Sequence, residues 1–140
     1  GVMLVAAAGN DGVFRDAVTR WPANVDGVLA ISVGSRDGAQ PEYASRLTDL
    51  PLGAWASGDG VCVLDNEDGY RRDSGSSFAA ASISGMLGVA RALCPGLSLG
   101  EAYALMHQSG VPVEEGGFLI IDDTFFMALD ANAQKVCTTP

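Results

Sequence analysis

Residues 77–93, from Ser77 to Leu93, show no alternation of apolar and polar positions, are rich in Ala, Met and Leu, and stop at Cys94-Pro95-Gly96. That pattern predicts a helix apolar around most of its circumference, and such a helix has to be enclosed by other elements, so it is expected to be central and buried. It is not a membrane span. Ser82, Ser84, Gly85, Gly88 and Arg91 break the run, and no stretch of the chain reaches the roughly 20 apolar residues a span needs.

The elements available to enclose it are short strands. Val2 to Ala8 is a continuous run of small and apolar residues ending in the turn Gly9-Asn10-Asp11-Gly12, and Val28 to Val33 repeats the pattern and stops at Gly34. Strands without alternation are buried on both faces, as in a parallel sheet covered by helices. Gly60 to Leu64 reads as a third short strand, Phe118 to Ile121 as a fourth, and residues 35–50 and 66–75 as loop. Ser98 with Glu101 three residues on has capping-box spacing and opens a second helix, whose apolar face is Leu99, Ala102, Leu105 and Met106. Thr124 to Ala133 is a last helix, and residues 134–140 form a polar tail. Strand–loop–strand followed by a buried helix is α/β organisation. In open α/β sheets function sits at the carboxyl ends of the strands, and two positions of interest fall there: Asn10 after the first strand, and Ser77 at the start of the buried helix.

Composition narrows the classes of function. Charged residues are 18% of the chain, against about 25% in a typical domain, and hydrophobic residues are 48%. The formal net charge is −9, and the eight basic residues are scattered, with only Arg71 and Arg72 adjacent. That argues against a nucleic-acid binder, which needs a basic face. Three cysteines, Cys62, Cys94 and Cys137, are too few and too widely spaced for a zinc site. Cys62, inside Gly60-Val61-Cys62-Val63-Leu64, reads as a small buried hydrophobe. Cys94 with Cys137 is the pairing to test first; one pair with one free thiol, or no disulfide, both fit the count. The chain opens in mid-strand without an initiator Met, which is expected of a processed product or a fragment, so the lack of a leader says nothing about the parent protein.

Ser77 is placed for nucleophilic work. It opens a helix, where backbone N–H groups lack partners and the helix dipole favours negative charge. The plain alternative is that Ser77 or Ser74 merely caps the helix. Asn10, likewise, is an ordinary turn residue as well as a side-chain amide able to donate to a developing oxyanion. Taken singly, the plain readings win. The single histidine, His107, lies on the second helix and reads as structural; Asp122 and Asp123 read as a solvated turn.

The two positions together change the balance. Ala7-Ala8-Gly9-Asn10-Asp11-Gly12 resembles the strand and turn that carry the oxyanion asparagine of subtilisin-like serine peptidases, and Asp73-Ser74-Gly75-Ser76-Ser77-Phe78-Ala79-Ala80-Ala81 resembles their nucleophile motif G-T-S-M/F-A-x-P. Trp21-Pro22 with the strand to Gly34, Ala56-Ser57-Gly58-Asp59-Gly60-Val61, and Gly116 to Asp122 resemble three weaker segments of that family, in the family's order. Ser76 stands where Thr is usual, Ala81 where Pro is usual, and Ser57 replaces the turn proline.

The resemblance implies the C-terminal half of a three-layer parallel-sheet domain of subtilisin type, covering residues 1–133. It implies a serine endopeptidase with Ser77 as nucleophile, the Asn10 amide and Ser77 N–H as oxyanion donors, and Ala7, Ala8 and Gly9 as one wall of the substrate pocket. A cis Trp21–Pro22 peptide is implied too. No cofactor is implied beyond a weakly bound cation such as calcium at the carbonyls of Ala23, Val25 and Val28, which no carboxylate constellation demands. In this family Asp and His precede the asparagine, so both would come from a segment upstream of or separate from this chain, which is the partner expected beside a polypeptide substrate. Without a base a serine hydroxyl is a weak nucleophile. Family habit favours secretion or the periplasm. The alternative is a catalytically inactive subtilase-like module used for binding or assembly. An unrelated α/β hydrolase is disfavoured, because the chain has no G-x-S-x-G elbow.

Overall fold

The computed structural model describes residues 1–12, 20–35, 37–113 and 116–137. Its strands are β1 (Leu4–Ala7), β2 (Val28–Gly34), β3 (Gly53–Ser57), β4 (Val61–Asp65), β5 (Gly69–Asp73), β6 (Val111–Pro112) and β7 (Phe118–Leu119). Its helices are α1 (Ser76–Leu93), α2 (Leu99–Ser109), α3 (Asp122–Ala131) and α4 (Ala133–Val136). One sheet has the order β1-β2-β3-β7-β6; the first four of these run parallel and β6 is antiparallel to β7. Helices flank the sheet, giving the α/β fold that the strand patterns predict.

The unalternated runs explain the centre. Every residue of β2 is buried. Its register sets Leu4 to Ala7 beside Val28 to Ile31 on one side and Gly53 to Ser57 beside Ala30 to Gly34 on the other. Small residues in β1 and β3 let α1 lie close, and Ala79, Ile83, Met86, Leu87 and Ala90 are its buried stripe. Full burial of a side chain such as Ile31 or Ile83 contributes about 1.5–3 kcal/mol. The capping box of α2 forms as its spacing predicts: Glu101 N–H donates to Ser98 Oγ, and Ser98 N–H donates to the Glu101 carboxylate.

Five sequence expectations change. The α1 helix is half-buried, not enclosed: Val89 is 52% and Leu93 67% exposed, because no described element covers that face. Residues 69–73 are a strand, not loop, forming an antiparallel hairpin with β4. Its Gly-Tyr-Arg-Arg-Asp sequence has no apolar face and so gives no strand signal. Among the described residues that hairpin pairs only with itself, and Cys62 is exposed instead of buried. Gly53–Ser57, unread in the sequence, is the central strand β3; its small residues around Trp55 lack β-branching. Asp122 and Asp123 form the first turn of α3, where carboxylates complement the helix dipole. Cys94 and Cys137 form a disulfide, and the tail opens with the helical turn of α4; residues 138–140 lie outside the described residues. The Trp21–Pro22 peptide is cis.

Candidate active site

The turn after β1 and the amino end of α1 meet at the carboxyl edge of the sheet. The N-cap of α1 is Gly75, which offers no side-chain cap. Ser74 does not cap the helix either, since its Oγ accepts from Gly60 N–H at 2.9 Å. Ser77 lies in the first turn and is exposed, and among the described residues its hydroxyl has no hydrogen-bond partner. The capping alternative for both serines therefore does not hold.

The first-turn donors are distributed unevenly. Ser76 N–H donates to Asn10 Oδ1 at 2.8 Å, while Phe78 N–H and Ala79 N–H both reach Gly75 O, at 3.1 and 3.4 Å. Among the described residues Ser77 N–H is left as the unpaired donor of the turn, at the positive end of an 18-residue helix. The Ser76 bond also fixes the Asn10 amide. A backbone N–H requires an acceptor opposite it, so Oδ1 faces Ser76 and the Nδ2 group keeps both of its hydrogens available. Gly75 makes room for this: a Cβ there would stand 3.1 Å from Asn10 Nδ2. Two N–H donors and a hydroxyl, carried by Asn10 and Ser77, thus stand at the amino end of α1, groups of the kind that can hold an oxyanion while an oxygen nucleophile attacks.

Ser76 was read only as a departure from a motif, and its structural role was missed. It is almost fully buried, and its Oγ accepts from Gly9 N–H at 3.2 Å. One serine thus ties both the strand end and the asparagine to the helix. A serine among serines carries no compositional signal for this. Of the expected pocket wall, Ala7 and Gly9 are partly exposed, but Ala8 is fully enclosed, its N–H bound to Ile31 O at 2.9 Å. His107 lies elsewhere, its ring edge-on to Phe118 with centroids 4.9 Å apart. The Val25 carbonyl accepts from Val28 N–H at 3.1 Å. Among the described residues no group of three or more His, Cys, Asp or Glu is arranged to hold a metal ion.

A serine and an asparagine thus stand at the amino end of one helix on a parallel sheet. The Subtilase family model matches residues 1–118, and the chain belongs to that family. It is 30% identical over 134 residues to the halolysin-like extracellular serine protease Nep of Natrialba magadii, a match that spans 93% of this chain and 24% of that protein. Among solved structures, the self-cleaved protease domain of PatA superposes with a TM-score of 0.76 at 25% identity, covering 93% of this chain and 51% of that one. A protease from Pseudoalteromonas arctica gives 0.76 at 20% identity, covering 91% and 43%. A cold-adapted subtilisin-like serine proteinase gives 0.70 at 20%, covering 83% and 43%. The chain therefore spans about a quarter of the curated relative and about half of each solved one.

Proposed function

We propose that this chain is the nucleophile-bearing part of a serine endopeptidase, with Ser77 as the attacking residue and Asn10 Nδ2 and Ser77 N–H as the oxyanion donors. The observation that carries this reading is the Ser76 N–H···Asn10 Oδ1 bond, which ties the Asn10 side chain to the first turn of α1 at the residue before Ser77. In the reaction, Ser77 Oγ forms a bond to the scissile carbonyl carbon and its proton passes to a base. The carbonyl oxygen takes up the negative charge and is held by the two donors. Collapse expels the amine, which takes the proton, and water then releases the acyl group by the same steps in reverse order.

The Asp and His of the triad come from an upstream or separate segment of the same peptidase. Two observations support a docking place for it: among the described residues β1 is an edge strand, with Leu4 exposed and Val2 exposed just before it, and a cleft of about 420 Å³ between β1 and α1 is lined by apolar residues including Met3, Val5 and Leu87, with Ser84 and Arg91. The extracellular designation of the Natrialba relative supports secretion, and no described helix is long and apolar enough to cross a membrane.

The protein carrying its upstream segment should cleave polypeptides, and Ser77→Ala should abolish cleavage. Asn10→Ala should cut turnover by roughly 10²–10³, the scale known for that donor in subtilisin itself. A folded wild-type protein with no Ser77-dependent cleavage, but with retained polypeptide binding, would replace this reading by the non-catalytic module.

A further inference from the structure

Four loops meet at the carboxyl edge of the sheet, and hydrogen bonds join them in a ring. The turn after β1 is tied to residues 41–45: Gly12 N–H donates to Tyr43 O at 2.8 Å, Ser45 N–H to Gly9 O at 3.3 Å, and Asp11 N–H to Ser45 Oγ at 3.4 Å. Ser32 Oγ anchors the same segment to β2 by donating to Ser45 O at 2.6 Å. On the opposite side, Ser76 ties α1 to Gly9 and Asn10. Gly75 N–H donates to Gly58 O at 2.9 Å, so the loop after β3 is joined to the nucleophile loop as well.

The last link, from residues 41–45 to the nucleophile loop, is made by side chains. Tyr43 OH donates to Asp59 Oδ1 at 2.9 Å, and Asp59 lies between Gly58 and Gly60, which are both hydrogen-bonded to the nucleophile loop. Gly60 is gripped on both sides, its N–H by Ser74 Oγ and its carbonyl by Arg72 at 2.7 Å. The titration of these groups agrees with the geometry. The Ser74 hydroxyl, then Tyr43, holds Asp59 below the ordinary carboxylate range. Desolvation, then Asp59, raises the Tyr43 hydroxyl.

We propose that Asp59, together with Tyr43, is a positioning residue for the reaction of Ser77, closing the ring of loops and so fixing the separation between the Asn10 amide and the Ser77 N–H. This rests on the peptidase reading. Ser74 is three residues before Ser77, and Tyr43 is one hydrogen bond from the far end of the Asn10 turn, so the link acts on both donors at once. Donors help only when they stand about 2.7–3.1 Å from the developing oxyanion, and small displacements are felt mainly in turnover. Neither residue is placed on the scissile carbonyl, so ground-state binding should change little.

The test is steady-state kinetics on the peptidase with its upstream segment in place. Asp59→Ala and Tyr43→Phe should each lower kcat about 3- to 30-fold with KM within about twofold. The double variant should be no slower than the slower single variant. Asp59→Asn, whose amide oxygen can still accept from the Tyr43 hydroxyl, should recover most of the loss. In an Asn10→Ala background the effect of Asp59→Ala should shrink, since the donor it positions is gone; a merely structural role would leave it at full size. Unchanged kcat in folded Asp59→Ala, a change in KM alone, or an undiminished effect in the Asn10→Ala background would each overturn the inference. If the wild type itself shows no Ser77-dependent turnover, the peptidase reading falls and this one with it; an active wild type indifferent to Asp59 removes the positioning role alone.

Discussion

Gly58 offers the sharpest structural perturbation of the site. It lies between β3 and the hairpin, and its carbonyl accepts from Gly75 N–H at 2.9 Å, directly beneath the start of α1. A Cβ added there would stand 2.8 Å from Gly75 O, 2.9 Å from Ala79 Cβ and 3.1 Å from Ala79 N. Ordinary contact begins at 3.4 Å, so the shortfall against Gly75 O is 3.4 − 2.8, or about 0.6 Å. Two of the three neighbours are backbone atoms, which have no rotamer to escape into. The amino end of α1 must therefore move, at about 1–3 kcal/mol of overpacking cost. It carries Ser77 and the Ser77 N–H with it. Misplacement of a reacting group by about 1 Å costs up to roughly 10²-fold in rate, so a shift of this size should slow Gly58→Ala by about tenfold to a hundredfold. The assay is the second-order rate of Ser77 modification by a fluorophosphonate, with kcat/KM for peptide cleavage alongside. Gly100→Ala is the control. Its Cβ meets nothing within 4 Å in α2, and it should react at the wild-type rate while gaining up to about 1 kcal/mol of helix stability. A folded Gly58→Ala protein that reacts as fast as wild type would refute the reasoning.

Other expectations concern stability and covalent state. In the native protein a thiol reagent should titrate one cysteine, Cys62, and all three only after reduction and unfolding, since Cys94 and Cys137 are joined. Reduction should destabilise the chain by up to about 4 kcal/mol, the loop-closure value for a sequence separation of 43; three native thiols would contradict this. Hydrogen bonds from the Ser98 hydroxyl and then the Ser98 backbone hold Glu101 below the ordinary glutamate value. A depressed carboxyl stabilises the fold above its unfolded-state value and loses that contribution as pH falls through the folded one. Glu101→Gln should therefore melt lower than wild type at neutral pH, with the difference shrinking as pH falls below the ordinary glutamate range; a difference independent of pH would count against the capping box as an ionic device.

The class of fold was legible because two strands and one helix lack any alternation, the mark of burial on both faces, which β2 shows throughout and β1, with Leu4 exposed, shows only in part. The helix was over-read for the same reason. Val89 and Leu93 make α1 apolar all round, but half of that circumference faces outward in this chain, and composition reports only what a surface could bury. Of the hairpin, Gly60 to Leu64 was legible as a strand, but its partner was not, because Gly69 to Asp73 has polar residues on both faces; β3 was not, because Gly53 to Ser57 is mostly small. At the site, Ser77 and Asn10 stood out once set against the family motifs. The residues bonded or packed around them did not: Ser76, Gly58, Tyr43 and Asp59 are linked by one or two hydrogen bonds or by close contacts. Such links join positions 16 to 67 residues apart in sequence, and no local pattern records them.

Mapping the site of covalent modification tests the central claim most directly. The peptidase with its upstream segment would be treated with a fluorophosphonate and digested, and the modified residue located by mass spectrometry. The account predicts a single adduct on Ser77, absent from Ser77→Ala and formed much more slowly in Asn10→Ala. An adduct on Ser74, Ser76 or any other residue, or no adduct in a folded protein that cleaves polypeptides, would contradict it.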